Sequence, residues 1–147
     1  MYPFKYDVSL RIRHPEMKAD EICNQLGLNA EHKWTAGASR RTPKGTPLVG
    51  VNKSTYCCFL LEHPDGLGLI DFLVICNDKF RCHSDFFRSI RLTGGSIEYF
   101  IGWYCDKNCG EVFDLEFLSD LVTLQIDLSI DFYGGAIKGS AEDRGRP

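Results

Sequence analysis

The sequence predicts an α+β fold, a two-layer sandwich in which a mainly antiparallel sheet of about four to five strands carries its helices on one face. Three observations predict it. Lys5 to Arg13 alternates strictly, with Tyr6, Val8, Leu10 and Ile12 on one side and Lys5, Asp7, Ser9, Arg11 and Arg13 on the other. Ile126 to Tyr133 does the same, setting Ile126, Leu128, Ile130 and Phe132 against Asp127, Ser129, Asp131 and Tyr133. Such period-two patterns mark half-buried strands, so the sheet has one covered and one wet face. Between them Leu69, Phe72, Leu73, Cys76, Phe80, His83, Phe87 and Ile90 recur at helical spacing and supply an apolar stripe for the second layer. The two alternating strands are expected side by side in the middle of the sheet, which would bring Asp7, Ser9, Arg11 and Arg13 close to Asp127, Ser129, Asp131 and Tyr133.

Taken in order, the first strand ends at His14-Pro15, since proline cannot donate to a ladder. Lys18 to Leu28 follows as a short helix with Ile22 and Leu26 inward, acids in its first turn and Gly27 as its stop. Trp34 to Val51 reads as a loop with a short extended piece around Trp34. Ser54 to Glu62 is apolar on both faces and rich in strand formers, as a central strand is. His63-Pro64-Asp65-Gly66 is a turn. The stripe from Leu67 to Leu92 breaks into two helices at Asn77-Asp78, with Asp78 as the second N-cap, and Gly94-Gly95 closes it. Ser96 to Cys105 is a strand with Ile97, Tyr99, Ile101 and Trp103 on one face. Leu115 to Leu124 is a last helix with Leu118, Leu121 and Val122 inward. Residues 1–137 are expected as a single domain and 138–147 as a disordered tail.

Composition bounds the rest. The 147 residues suit one domain with one core. Hydrophobic residues at 44% and charged residues at 25% are globular averages, and no apolar run approaches the length of a membrane span. The N-terminus does not read as a signal peptide, so the cytoplasm is the expected compartment. Seven cysteines, an odd number, then read as reduced thiols rather than a disulfide framework. Cys105 and Cys109 flank a loop and would pair only on oxidation. Net charge is −3, but it is unevenly spread. Lys33 to Lys53 holds five Lys or Arg and no acid, whereas Asp106 to Asp131 holds seven acids against Lys107 alone.

The segments FKYDVSLRI, EICNQLGL, GASRRTPKGTPLVG, SIEYFIGWY and LEFLSDLVTLQIDLSIDFYG, in this order, resemble the bacterial domain-of-unknown-function family 4279 over roughly residues 4–135. Tyr56-Cys57-Cys58 departs from the pattern, standing where a tryptophan is expected. The resemblance implies a small cytoplasmic bacterial protein and brings no catalytic residue with it.

Two surfaces are candidates for function. Arg40, Arg41 and Lys44, among glycines that let backbone N–H groups approach a ligand, suit a small anion or nucleotide, or else a solvated loop that shapes a chain crossing. Asp114, Glu116, Asp120, Asp127 and Asp131, with Asp106 and Glu111, suit a basic protein partner. No nucleic acid is expected, since Trp34 alone adds an aromatic to the basic stretch. No phosphate-binding glycine motif occurs, the cysteine spacings do not form a zinc set, and the four histidines are scattered. The sequence reading is therefore a non-enzymatic binding module of the bacterial cytoplasm with no cofactor, metal or membrane. Its specific form is the immunity type, with the anion-binding loop as the alternative and with a monomer or homodimer both open.

Overall fold

The computed structural model describes residues 2–134. The expected tail at 138–147 lies outside them. The α+β architecture is as the periodicity requires: a five-stranded, mostly antiparallel sheet with helices on one face, plus a separate two-stranded ribbon.

Strand β1 (Lys5–His14) occupies the centre of the sheet and sends Tyr6, Val8, Leu10 and Ile12 into the core. Helix α1 (Ala19–Leu26) buries Ala19, Ile22, Cys23 and Leu26 and stops where Gly27 takes a left-handed φ of 66°. The basic stretch is more ordered than its composition suggests. β2 (His32–Trp34) joins the sheet edge, and β3 (Ser39–Arg41) pairs with β4 (Pro47–Val51) as the separate ribbon. β5 (Thr55–Leu61) lies between β2 and β1, which explains why both its faces are apolar.

The long helical stripe breaks later than Asn77-Asp78. Helix α2 runs over Leu69–Phe80, a 3-10 turn over Arg81–His83, and α3 over Ser84–Leu92. Asn77 stays helical because its side chain is buried and bonded, while Asp78 accepts from Arg81 instead of capping a helix. β6 (Ser96–Cys105) starts directly behind Gly94-Gly95. At Gly95 a Cβ would lie 2.6 Å from the Arg13 carbonyl oxygen and 2.6 Å from Ile90 Cγ2, so only glycine lets α3 turn this close to β1.

Helix α4 (Leu115–Leu124) buries Phe117, Leu121 and Leu124; Leu118 and Val122, expected inward, are exposed. The Asp114 cap and the tie of Asp120 to α2 set the helix's rotation about its axis and turn that side outward. β7 (Asp127–Gly134) pairs parallel to β6 and forms the sheet edge, so the order is β2-β5-β1-β6-β7. The first and last strands are therefore not neighbours: β6 lies between them. A parallel strand needs a crossover, which α4 supplies, and this carries β7 outward past β6.

The cysteines also part from expectation at one place. Cys105 and Cys109 are joined as a disulfide, Cα to Cα 6.8 Å, while Cys23, Cys57, Cys58, Cys76 and Cys82 are free. The loop after β6 folds back and brings the two sulfurs together.

Candidate functional site

Three surfaces carry the candidate chemistry. The acidic residues Asp114, Glu116 and Asp120 stand on α4, and Asp127 and Asp131 on β7, so the sheet divides the set in two. Asp114 caps α4 by accepting from the Phe117 N–H at 2.8 Å. Asp120 accepts two bonds from Arg81, at 2.6 and 2.8 Å, and a third from Asn77 at 3.0 Å. The Arg81 guanidinium holds the Asp120 carboxyl below the usual carboxylate range. Behind it the buried Asn77 accepts from the Tyr99 hydroxyl at 2.7 Å, which ties α2, α4 and β6 together. Burial raises the Tyr99 hydroxyl well above the ordinary tyrosine value.

Around this tie, α2 and α4 enclose a groove of about 600 Å³, floored by Ile70, Val74 and Phe117 and rimmed by Asp78, Asp114, Glu116 and Asp120 with Arg81. Four carboxylates face one guanidinium there, a surplus of three negative charges. Asp127 instead pairs with Arg91 at 3.0 Å, and Asp131 accepts from Tyr133 at 2.6 Å.

Arg40 and Arg41 lie on β3 and Lys44 in the turn between β3 and β4, and every residue of the two strands is exposed. Arg40 donates to the Val49 carbonyl at 3.1 Å and Arg41 to the Gly45 carbonyl at 3.2 Å. Both guanidiniums thus cap their own hairpin. Among the described residues no carboxylate pairs with Arg40, Arg41 or Lys44. Lys33, at the start of the stretch, pairs with Asp20 at 2.7 Å.

The open face of the sheet is richer than the sequence suggests. The register sets Asp7, Gly102 and Asp131 in one row, Lys5, Tyr104 and Tyr133 in the next. Tyr104 and Tyr133 stack at 4.9 Å with planes 9° apart, and the Tyr104 ring lies back over Gly102, where a Cβ would stand 3.1 Å from its hydroxyl. Burial, with Asp7 beside it, raises the Tyr104 hydroxyl; the bond to Asp131 raises that of Tyr133. Arg11 lies 3.6 Å over Phe100, and Arg13 lies 4.5 Å over Tyr56, which Trp34 covers from the other side. A hollow of about 480 Å³ opens here between Asp7, Arg11, His32, Cys58, Phe100 and Tyr133.

Sequence reasoning set the polar residues of β1 and β7 on this face but missed Phe100 and Tyr104 of β6 between them, because its rows form only when the register is known. The signal available was Phe100 and Tyr104 standing on the polar phase of β6. Asp7 and Asp131 share a row across Gly102, but Asp131 accepts from Tyr133 and Asp127 is turned to Arg91, so the three do not gather as an acid–base group. Among the described residues no three His, Cys, Asp or Glu side chains converge as metal ligands, and no helix is long and apolar enough to cross a membrane.

No family model, no curated protein and no solved structure matches the chain.

Proposed function

We propose that the protein is a non-enzymatic binding module that takes a basic protein partner on its acidic surface, in the manner of an immunity-type protein. The observation that carries this reading is the α2–α4 groove. An apolar floor supplies area to bury, and a rim with surplus negative charge supplies steering and register for a cationic segment. The groove centres on Asp114, Glu116 and Asp120 of the acidic set; Asp127 and Asp131 belong to the other face. The reading is of a bacterial cytoplasmic protein, as the resemblance to family 4279 implies.

The test is affinity capture from the native host, followed by kinetics of the captured protein against wild type and the double variant Asp114→Asn, Glu116→Gln. Asparagine keeps the helix cap, so the variant removes charge with the fold intact. A basic protein whose association rate falls about tenfold in the variant, and falls with added salt, supports the reading. No captured protein, or rates equal in the two forms, overturns it.

A further inference from the structure

We infer that two copies of this chain associate through β7, whose outer edge pairs antiparallel with β7 of the second copy to continue the sheet, with α4 meeting its counterpart beside the seam. The inference is independent of the α2–α4 groove and its partner.

The first observation is the edge itself. Among the described residues β7 has β6 on one side and no strand on the other, which leaves the outward backbone groups of an eight-residue strand without ladder partners within residues 2–134. Edges of this length are usually shortened, bulged or covered, because they template pairing with another chain. The opposite edge, β2, has only three residues.

The second observation is which apolar side chains the single copy fails to cover. Along β7 burial is lost in order: Ile126 is buried and Leu128 half-buried, but Ile130 is 44% and Phe132 56% exposed. On α4 the residues at 83%, 42% and 75% exposure are Leu115, Leu118 and Val122. At about 100° per residue these three form one stripe, on the flank of the helix away from Asp120. Asp120 is held by Asn77 of α2, a helix that itself lies over β1 and β6 through Phe72 against Tyr6 and Asn77 against Tyr99. The stripe therefore lies on the side where the sheet ends at β7. Core-type residues of a strand and of the helix leading into it are left open at one place.

The third observation is that the charges of β7 select a register. A two-fold axis perpendicular to the sheet keeps both helix layers on one face and pairs residues about a central one. Centring on Ser129 sets Asp127 opposite Asp131, and centring on Asp131 sets that residue opposite itself. Like charges directly opposite are destabilising. Centring on Ile130 instead pairs Leu128 with Phe132, Ser129 with Asp131 and Asp127 with Tyr133, with no carboxylate facing another. It also overlaps seven of the eight residues of the strand, Asp127 to Tyr133.

The test is molecular mass by light scattering across a concentration series. Wild type is expected at twice the 16.7 kDa chain mass. Ile130→Lys, which sets lysine against lysine on the axis, raises the dimer Kd at least about 100-fold. Because Ile130 is half-exposed, this variant keeps its fold, which the unchanged far-UV spectrum checks. The register is read separately with Ile130→Cys in a Cys82→Ser background. Residues directly opposite on antiparallel strands lie about 4.5–5.5 Å apart at Cα, within the span of a disulfide. The single substitution thus cross-links the chain to its copy, whereas Leu128→Cys alone does not. A wild type of single-chain mass at every concentration overturns the inference, as does a dimer that survives Ile130→Lys without cross-linking at position 130.

Discussion

Strands β1 and β7 carry the same strict alternation, and the structure treats their apolar faces in opposite ways. In β1, Val8, Leu10 and Ile12 are wholly covered, because the strand has neighbours on both sides and helices above. In β7, Ile130 and Phe132 stand half open at the sheet edge. Periodicity thus records which way a side chain points, whereas its burial depends on where the strand falls in the sheet. That placement is a property of connections: β6 follows a tight turn and lies antiparallel beside β1, while the α4 crossover sets β7 parallel and outermost.

The largest expected effect breaks this comparison directly. Leu10→Ala removes a fully buried side chain from the sheet centre and should cost about 2–5 kcal/mol in denaturant unfolding. Ile130→Ala, measured at concentrations where the chain is single, should cost under about 1 kcal/mol, since half its surface is already wet. Equal losses would mean that β7 is covered in solution even in one copy. Next in size is Gly95→Ala, in the turn that brings α3 against β1. Its new methyl meets backbone, which cannot give way as a side chain tip can, and a loss of about 1–3 kcal/mol is expected. At Gly102 the neighbour is the Tyr104 ring, free to swing off the open face, so Gly102→Ala should cost less than Gly95→Ala in the same unfolding experiment.

A substitution at Asp120 sharpens the contrast on the helix layer. Asp120 ties α4 to α2 through Arg81 and Asn77, and its carboxyl is held below its ordinary value, so its folded form binds protons less readily than the unfolded chain. The stabilisation is present above the unfolded carboxyl range, about pH 4, and fades as pH falls through the depressed folded value. Thermal unfolding should therefore show Asp120→Asn below wild type at pH 7 and the two converging toward pH 3. A constant gap across that range would assign the loss to packing instead of charge.

How much of this was legible in sequence follows from the range of each interaction. Alternation and helical spacing are local, so the layers, the strand at 96–105 and the helix at 115–124 could be read directly. Strand order is not local, and the expected β1–β7 neighbourhood failed because nothing along the chain states that a crossover runs parallel. The inward assignment of Leu118 and Val122 failed for a related reason: hydrophobicity marks them as core, but Asp120 and its buried partners turn that flank outward. The Arg11–Phe100 and Tyr104–Tyr133 contacts join strands far apart in sequence and needed the register. Arg40, Arg41 and Lys44 stand out in the sequence as a charge run, but the bonds of the two arginines to their own ribbon form only in the fold.

Thiol chemistry gives the smallest perturbation and still distinguishes covered from uncovered parts. Cys57, opposite Ile12 of β1, is pushed up to about 12 by burial beside Cys23, and Cys76 on α2 is pushed up to about 11 by burial. Both are protonated at pH 8 and shielded as well, so they fail on the two requirements of a reactive thiol, thiolate character and access. Cys23 and Cys58 are also buried, whereas Cys82, in the 3-10 turn between α2 and α3, is exposed. A thiol-specific reagent should modify one residue, Cys82, in the native protein at pH 8. The other four free thiols should follow only at the rate of unfolding. Leu10→Ala should hasten that slow phase by loosening the packing around Cys57, and Ile130→Ala should leave it unchanged. Fast modification of a second site in wild type would mean that the β5–α1 end of the core opens without global unfolding, and that the sheet centre is less closed than its side-chain burial states.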